Sequence, residues 1–433
     1  MNEPLQKAPE GFEALGVSPV FLHVLEQRGI RTPTPIQHQA IPALMQGKDI
    51  VGIAQTGTGK TLAYGLPLLQ KLVAGKGRAL IVVPTRELAA QVGDSLSGFG
   101  QKVGIRIAVF VGGASMGLQR QMIRQDPRIL VATPGRLIDH IKQKTITLRE
   151  VNTFILDEAD QMFDMGFKPQ IDEIIRHVPK ERQTMLFSAT MPKEILALAT
   201  ANMQLPLRIE VAPAGTAAEK VEQELFIVNK QDKMRLLQAL LKEYTGTVLV
   251  FSRTKHGAKK IAAGVRAMGH QAAEIHANRS LPQRKEALLG FKTGKYRVLV
   301  ATDIAARGIH VSGIQLVVNF DLPNDPNDYV HRIGRTARAG KEGKAVSFGM
   351  PDQRNLIRSI ERIVRSSLPV KTLPNLPPHA PHTAVSLDDR QRGFRSPYPS
   401  RHSSQGGFHR GSRSGSHRSS SRGNFRGRRR NSR

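Results

Sequence analysis

Short apolar runs rich in β-branched residues recur along the first half of the chain, with helical patterns between them. Runs of this length, without alternation of polar residues, are typical of strands buried on both faces of a parallel sheet. In the first half they are residues 79–83, 107–111, 129–133, 153–157 and 184–188. The pattern therefore predicts an α/β fold with a mostly parallel sheet flanked by helices.

The same pattern stops and then restarts, which predicts a second α/β domain. Periodicity is weak over residues 210–220, and strand-like runs return at residues 225–228, 248–252, 273–276, 298–302, 316–320 and 345–348. A chain of 433 residues also exceeds the usual size of one domain. We expect an N-terminal segment over residues 1–38, a first domain over 39–209, a linker over 210–220 and a second domain over 221–365.

The net charge is +29, and part of it is concentrated in the last residues of the chain. Residues 391–433 contain 12 Arg and no Lys, Asp or Glu, which leaves 52 basic and 35 acidic residues, or +17, over the first 390. Gly, Ser, Arg and His dominate this segment, and its aromatic residues are Phe394, Tyr398, Phe408 and Phe425. We expect residues 366–433 to be a disordered tail, because this composition cannot bury a core. Arginines neutralise phosphates and aromatic rings stack on bases, so the tail favours nucleic-acid binding over a purely solubilising role.

Composition also excludes several classes of protein. The absence of cysteine excludes disulfides and thiolate metal sites and agrees with a reducing compartment. No apolar run approaches the roughly 18 residues that a membrane span needs. The mixed, acidic start MNEPLQKAPEGFEAL lacks the features of a secretory signal. We therefore expect a cytoplasmic protein with a polyanionic partner and no membrane association.

The stretch AQTGTGKT, residues 54–61, indicates a phosphate-binding loop. It lies between a short apolar run, residues 49–53, and the helical pattern TLAYGLPLLQKL. It matches G-x-x-x-x-G-K-[ST] except that Ala54 replaces the first glycine. Gly57 and Gly59 allow backbone N–H groups to turn towards phosphate oxygens, and the helix start adds its positive end. Lys60 can then reach the β- and γ-phosphates of a nucleotide, and Thr61 can ligate Mg²⁺.

The stretch FILDEADQM, residues 154–162, ends a buried-strand pattern in three carboxylates. The carboxyl ends of parallel strands border the ligand crevice. Asp157 is therefore expected to face the metal held by Thr61, directly or through water. Glu158 is expected to orient and deprotonate the water that attacks the γ-phosphate. A solvated acidic cluster is the alternative, and the phosphate loop upstream disfavours it.

These motifs resemble those of the DEAD-box RNA helicases, whose signature is spelled by residues 157–160. Between residues 10 and 365 the other family motifs follow in order: RGIRTPTPIQ, PTRELA, the glycine pair 112–113, TPGR, SAT, VFSRT, ATDIAARGIH and HRIGRTAR. The chain is most similar to bacterial members of the RhlE type. The resemblance implies two tandem RecA-like domains, with ATP and RNA bound across the cleft between them.

The resemblance also implies roles for individual residues. For ATP it implies stacking by Phe12, a bidentate contact of Gln37 with adenine, and further contacts from Ala54, Gln55, Thr56, Gly57, Thr58, Gly59, Lys60, Thr61, Gly308 and His310. For hydrolysis it implies Lys60, Asp157, Glu158 and the arginine fingers Arg335 and Arg338, with Thr61 and Asp157 as ligands of Mg²⁺. For the coupling of hydrolysis to unwinding it implies Asp160, Ser188, Thr190 and His331.

The RNA contacts implied by the resemblance are Thr85, Arg86, Gly113, Thr133, Arg136, Arg253 and Thr302. Backbone amides, hydroxyls and guanidinium groups position a strand through its phosphates and sugars. We therefore expect little sequence preference and a choice of RNA over DNA through the 2′-hydroxyls. The implied function is ATP-dependent remodelling of short RNA duplexes or ribonucleoproteins by a monomeric core, with RNA-decay proteins as candidate partners. An RNA-binding clamp or annealing chaperone with a weak ATPase is the alternative.

Four positions depart from the family pattern. Ile30 replaces an aromatic residue, Leu281 a Gln, Ala337 a Gly, and His310 an Asp that contacts the ATP ribose in relatives. Leu281 is expected to weaken an RNA contact, and only His310 touches the nucleotide site directly.

Replacing His310 with Asp tests whether the ribose contact has been lost. The variant H310D should restore a charge-assisted hydrogen bond worth about 1–2 kcal/mol, and so lower KM for ATP roughly 5–30-fold. ATP titration of RNA-stimulated phosphate release measures KM for both proteins. In the alternative arrangements, Asp325 or Asp328 accepts the bond or the ribose faces water. If KM for ATP of H310D does not fall by more than about twofold, His310 is not a lost ribose contact, and one of these alternative arrangements applies.

Overall fold

The computed structural model describes residues 11–55, 57–211, 221–306, 311, 313–336 and 343–378. Within these ranges the chain forms two sheets in which every strand pair is parallel. Apolar clusters cover both faces of each sheet. The predicted α/β fold with two parallel sheets is therefore confirmed. Among the described helices, none has both the length and the apolar character needed to cross a bilayer.

The first domain places seven described strands in the order β3-β4-β2-β5-β6-β1-β7. These strands are β1 Ile50–Ile53, β2 Arg78–Val82, β3 Ile107–Phe110, β4 Ile129–Ala132, β5 Val151–Asp157, β6 Gln183–Ser188 and β7 Leu207–Glu210. Its helices are α1 Pro19–Gln27, α2 Pro35–Met45, α3 Lys60–Ala74, α4 Arg86–Lys102, α5 Met116–Arg124, α6 Pro134–Lys142, α7 Ala159–Asp164, α8 Lys168–His177 and α9 Lys193–Asn202.

The second domain places six described strands in the order β10-β11-β9-β12-β13-β8. These strands are β8 Val221–Ile227, β9 Val248–Phe251, β10 Ala272–Ile275, β11 Val298–Ala301, β12 Leu316–Asn319 and β13 Gly343–Gly349. Its helices are α10 Lys233–Glu243, α11 Lys255–Ala267, α12 Leu281–Lys292, α13 Asp303–Ala306, α14 Pro326–Ile333 and α15 Arg354–Val364, with a 3-10 turn at Pro351–Gln353.

The central strands lack polar alternation because helices cover both sides of the sheet. In β1, Ile50 packs into the cluster on one face and Val51 into the cluster on the other. Ile81 and Leu80 of β2 are divided between the faces in the same way. Successive side chains of a strand point to opposite faces, so a strand buried on both sides must be apolar throughout.

Two edge strands differ from the sequence-based prediction. β7, Leu207–Glu210, was not predicted, because only Ile209 of its four residues is buried. β8 begins at Val221, upstream of the predicted run 225–228, because three of its first four residues, Glu222, Gln223 and Glu224, are polar and do not match an apolar run. Both strands are the last in the strand order of their sheets. The predicted domain boundaries stay a prediction, and residues 212–220 of the linker lie outside the described residues.

Residues 366–378, which we call the C-terminal strap, pack against the second domain, and this corrects the predicted start of the disordered tail. The backbone of Leu225 in β8 pairs with the strap: its N–H donates to the Pro369 carbonyl at 2.9 Å, and its carbonyl accepts from Lys371 N–H at 2.8 Å. Leu368 is 4% exposed in the core on one face of the sheet. Leu376 packs against the cluster on the other face. Residues 379–433 lie outside the described residues.

Two truncations test the role of the C-terminal strap in stability. The chain ending at residue 378 should unfold at the temperature of the full chain. The chain ending at residue 365 should unfold about 5 °C lower, because it loses the buried Leu368 and the pairing along β8. Equal melting temperatures for the two truncations would show that the strap does not contribute to the fold.

The same truncations test the role of the basic tail in RNA binding. Both remove the 12 arginines that lie beyond Arg390. We expect both truncated chains to bind RNA more weakly, with a flatter dependence of affinity on salt. Both should still hydrolyse ATP at saturating RNA. Binding titrations at several salt concentrations measure this slope, and an unchanged slope would contradict the proposed role of the tail.

Candidate functional site

The predicted motifs divide between the two halves of one sheet edge in the first domain. The phosphate loop follows β1, Asp157 ends β5 and Ser188 ends β6, and these strands are neighbours in the order β5-β6-β1. Thr85, Gly113 and Thr133 follow β2, β3 and β4, which are neighbours in the order β3-β4-β2. The residues predicted to bind nucleotide and those predicted to bind RNA are thus brought to adjacent parts of the carboxyl edge.

The phosphate loop joins β1 to α3, which begins at Lys60. Gly57 and Gly59 have φ angles of 91° and 92°, in the left-handed region that glycine adopts without a steric penalty. A Cβ at Gly59 would lie 2.4 Å from Gln37 Nε2, so only glycine fits there. The Thr58 hydroxyl donates to the Gln55 carbonyl at 2.8 Å and closes the turn. Thr56 lies outside the described residues.

Lys60 is buried and is held by three groups of the site. Its Nζ donates to Glu158 Oε1 at 2.9 Å and to the Ala54 carbonyl at 3.1 Å, and it lies 4.0 Å from Asp157 Oδ1. Burial alone would lower the pKa of Lys60, but the carboxylates of Glu158, Asp157 and Asp160 raise it above its usual value. The lysine is therefore charged, and its charge is balanced by carboxylates of the site.

Glu158 has a left-handed backbone conformation, with φ 56° and ψ 49°. A non-glycine residue in this conformation is strained, and such residues concentrate at functional sites. Both of its carboxylate oxygens are bonded, since Oε1 accepts from Lys60 and Oε2 accepts from Gln161 Nε2 at 2.9 Å. The turn after β5 thus holds the Glu158 carboxylate in a defined position beside the phosphate loop.

Asp157 has one oxygen that is free to bind a ligand. The Tyr64 hydroxyl donates to Oδ2 at 3.0 Å, whereas Oδ1 is buried and makes no hydrogen bond among the described residues. Burial raises the pKa of Asp157 to about 6, although the Lys60 ammonium lowers it. Mg²⁺ is usually bound through one or two carboxylates together with substrate phosphates. The free Oδ1 and the hydroxyl of Thr61, the second residue of α3, fit such an ion.

Asp160 connects the acidic motif to the segment after β6. Its Oδ2 accepts hydrogen bonds from Ala189 N–H at 3.1 Å, Thr190 N–H at 2.9 Å and the Thr190 hydroxyl at 3.1 Å. The Asp160 N–H donates in return to Ser188 Oγ at 3.2 Å. The structure therefore brings together three of the four residues predicted to couple hydrolysis to unwinding.

Gln37 and Phe12 have different surroundings from those that adenine contacts require. Gln37 Oε1 accepts from Thr34 N–H at 2.9 Å, and Nε2 donates to the Gly59 carbonyl at 3.0 Å. Gln37 therefore caps α2 and braces the phosphate loop, and a bidentate contact with a base would require these bonds to change. Phe12 is 4% exposed within the core of the first domain, so base stacking would require its ring to move outwards.

The residues predicted to bind RNA in the first domain lie at helix starts. Thr85 precedes α4 and its hydroxyl accepts from Leu88 N–H at 3.2 Å, and Thr133 precedes α6. The Arg86 guanidinium lies against the loop after β3, where a Cβ at Gly113 would be 2.3 Å from Arg86 Nη1. Arg136 donates to the Ala114 carbonyl of the same loop at 3.0 Å. The predicted RNA contacts of this domain thus form one cationic group at the starts of two helices, where Thr85 and Thr133 themselves are buried.

In the second domain, Arg253 and Thr302 follow the neighbouring strands β9 and β11. Arg253 is exposed, and its backbone N–H donates to Asp321 Oδ2 at 3.2 Å. These two predicted RNA contacts therefore lie at the carboxyl edge of the second sheet, as their counterparts do in the first.

Helix α14 carries His331 and leads to the predicted arginine finger Arg335. Arg332 of this helix is buried and makes a bidentate contact with Asp303, which braces the helix against the segment after β11. Arg335 is 3% exposed, and its Nε donates to the His331 carbonyl at 3.1 Å. Arg338, Gly308 and His310 lie outside the described residues. Asp325, named above as a substitute ribose contact, caps α14 by accepting from Asn327 N–H at 2.9 Å.

Helix α12 of the second domain contacts the first domain. Arg284 Nη2 donates to Glu87 Oε2 of α4 at 2.8 Å, and both side chains are buried. Leu281 packs against the apolar core cluster of the first domain. Leu281, which we expected only to weaken an RNA contact, therefore supplies an apolar contact between the two domains.

The sequence-based prediction missed three residues that hold this site. Tyr64 lies one helical turn after Lys60, and Gln161 lies three residues after Glu158. Glu87 lies inside PTRELA, directly after the predicted RNA contact Arg86. The spacing of Tyr64 and Gln161 places them on the side of their helices that faces the site. No sequence signal identified Glu87, because its partner Arg284 is distant in sequence and belongs to the other domain.

Comparison with known proteins agrees with this arrangement. The family model of DEAD/DEAH box helicases matches residues 34–198, and that of the helicase conserved C-terminal domain matches residues 232–340. The DEAD-box ATP-dependent RNA helicase CshA of Bacillus cereus is 42% identical over 368 residues, which are 84% of this chain and 70% of that protein. CshA of Geobacillus kaustophilus is 41% identical over 360 residues, which are 82% of this chain and 77% of that protein. These relatives are named CshA, so the finer likeness to the RhlE type is not confirmed.

Solved structures with bound ligands have the same fold. Yeast (S. cerevisiae) Dbp5 bound to RNA and ADP BeF3 aligns with a TM-score of 0.74 at 27% identity, over 84% of this chain and 96% of that one. Mss116p bound to ssRNA and AMP-PNP aligns with a TM-score of 0.77 at 26% identity, over 86% of this chain and 81% of that one. In both cases the fold that this chain shares holds a nucleotide analogue and RNA together.

The variant E158Q tests the predicted general base. It should keep ATP and RNA binding, because Lys60 and Asp157 remain, but it should lose roughly 10²-fold or more in kcat. The matched control is D164N, which makes the same change at an exposed carboxylate of the same helix. Single-turnover phosphate release measures the hydrolysis rate of both variants. If the rate of E158Q lies within a few-fold of the rate of D164N, another residue is the general base.

Proposed function

The chain belongs to the DEAD-box family of ATP-dependent RNA helicases, and we propose that phosphate binding starts its reaction by drawing Lys60 away from Glu158. The contact that supports this proposal is the 2.9 Å bond between Lys60 Nζ and Glu158 Oε1. While this bond is present, the Lys60 ammonium competes with a water molecule for Oε1. Binding of the β- and γ-phosphates gives Lys60 an anionic partner of higher charge and draws its ammonium away from Oε1.

Glu158 then acts as the general base of hydrolysis. Water attacks the γ-phosphorus, the bond between that phosphorus and the bridging oxygen of ADP breaks, and Glu158 accepts the proton of the water. Gln161 keeps the carboxylate in place through Oε2, with a bond of 2.9 Å. Arg335 and Arg338 are proposed to stabilise the charge that develops on the transferred group.

Asp157 and Thr61 are proposed to hold Mg²⁺. The support is the buried Asp157 Oδ1, which makes no hydrogen bond among the described residues. When bound, the ion neutralises charge on the phosphate oxygens. Tyr64 orients Asp157 from the opposite oxygen, at 3.0 Å.

RNA is proposed to bind along the other half of the carboxyl edge, through Thr85, Arg86, Gly113, Thr133 and Arg136 in the first domain. Arg253 and Thr302 add contacts from the second domain. These groups favour phosphate and sugar contacts with little sequence preference. Asp160, Ser188 and Thr190, together with His331, are proposed to transmit hydrolysis to this surface.

We propose that residues outside the phosphate loop hold the adenine and the ribose of ATP. Adenine contacts by Gln37 and Phe12, and ribose contacts near Gly308 and His310, rest on the family resemblance. We keep the likeness to the RhlE type, a monomeric core and a cytoplasmic location with ribonucleoprotein partners as proposals.

RNA-stimulated phosphate release, measured for the full chain and for the chain ending at residue 378, tests this function. A helicase core should show RNA-stimulated turnover in both proteins, with a higher KM for RNA in the shorter one. Strand separation of a short duplex should depend on ATP in both. Turnover that is weak in the full chain and lost in the shorter one would favour the RNA clamp or annealing chaperone.

A further inference from the structure

Three arginines of helix α15 and the arginine that follows its last residue, Val364, lie along one face. They are Arg354, Arg358, Arg362 and Arg365, and we call them the α15 stripe. Their spacing of four, four and three residues places them within roughly 80° of helical arc, about one every 5–6 Å along the axis. All four side chains are exposed.

The opposite face of α15 packs against the core of the second domain. Ile357 is 8% exposed and Ile360 is fully buried, and both pack into the same core cluster as Tyr329 and Ile333 of α14. The arginines therefore do not support the core, and the stripe is a surface feature with no structural role in packing.

One carboxylate, that of Glu361, lies beside the α15 stripe, and a single negative charge does not balance four arginines. No salt bridge of the described residues includes any of its four guanidinium groups. Glu361 is the only acid of the helix, and its Oε1 accepts from Leu368 N–H of the C-terminal strap at 2.9 Å. Four unpaired arginines on one face therefore leave a local excess of positive charge.

The C-terminal half of the stripe borders a shallow groove of about 420 Å³. Arg358, Arg362 and Arg365 line it together with Glu361, Ser366 and Ser367. Guanidinium and hydroxyl groups are hydrogen-bond donors, and this combination suits phosphate oxygens.

Helix capping does not account for the stripe. Cations near a helix C-terminus are favoured by the macrodipole, which would explain Arg362 and Arg365. Arg354 and Arg358 lie in the first half of α15, where the same dipole does not favour them. The family model of the helicase C-terminal domain ends at residue 340, before the helix begins.

We propose that the α15 stripe is a second RNA-binding surface, which holds the phosphate backbone of RNA that flanks the strand bound by the motifs. The proposal rests on the proposed function, since RNA is the polyanion that this function brings to the chain. Residues 391–433 contain 12 Arg and no acid, so this part of the chain supplies no side-chain carboxylate that could pair with the stripe. The guanidinium groups are spaced regularly along a line, and the phosphates of an RNA backbone also repeat their negative charge at regular intervals.

The experiment compares two double variants of the full chain. R358Q/R362Q removes two charges from the stripe. R149Q/R176Q removes two exposed arginines that line a groove of about 310 Å³ on the first domain, and it is the matched control. Each protein is titrated with a short single strand and with the same strand extended by a flanking duplex, at several salt concentrations.

The stripe variant should bind the flanked RNA about tenfold more weakly than the control does, and its salt slope should fall by about 1.5. Its affinity for the short strand and its ATP turnover with that strand should equal those of the control, because the stripe lies outside the motifs. Equal melting temperatures exclude a folding defect.

Equal affinities of the two double variants for the flanked RNA would overturn the proposal and would favour an acidic protein as the partner of the stripe. If the stripe variant loses affinity equally for the short and the flanked RNA, the proposal is also overturned, because the stripe would then be part of the RNA site formed by the motifs. Failure of the proposed function would be seen separately, as an absence of RNA-stimulated turnover with the short strand in every protein.

Discussion

The parallel direction of the strands is the constraint on which the functional arrangement depends. Because every strand of the first sheet runs the same way, the loops after β1, β5 and β6 meet at one edge, and the loops after β2, β3 and β4 meet beside them. Asp160 then fastens the acidic motif to Thr190 across neighbouring strands. A change at the phosphate loop can therefore reach the neighbouring part of the edge through short, direct contacts.

Buried charges would be costly at this edge if they lacked partners. Lys60 is paired with Glu158, Glu158 is also held by Gln161, and Asp160 accepts three hydrogen bonds through one oxygen. The buried pair Glu87–Arg284 applies the same principle between the domains. Removing one member of such a pair leaves the other uncompensated, so each pair favours a particular arrangement of the site. Leu281 adds an apolar contact at the same junction.

The sequence was sufficient to predict the two parallel sheets, the phosphate loop and the placement of Asp157 and Glu158. Those features depend on local patterns of apolar residues, glycines and carboxylates. Gln37 shows where one local pattern has two uses: TPIQ has the spacing of a capping box, and the Gln37 amide caps α2 and braces Gly59. Its contact with adenine stays a prediction. The C-terminal strap could not be predicted, since its pairing with β8 joins residues that are distant in sequence and its own composition resembles a disordered segment.

We propose that the bonds between Asp160 and the segment after β6 couple ATP hydrolysis to RNA remodelling. The number of short duplexes separated per ATP hydrolysed tests it most directly, in the parent and in the variant T190V. This variant keeps the shape of the side chain but removes the hydroxyl that donates to Asp160 at 3.1 Å. The account predicts RNA-stimulated hydrolysis close to that of the parent and a roughly tenfold loss of duplexes separated per ATP. An unchanged ratio, or an equal loss of hydrolysis and separation, would contradict it.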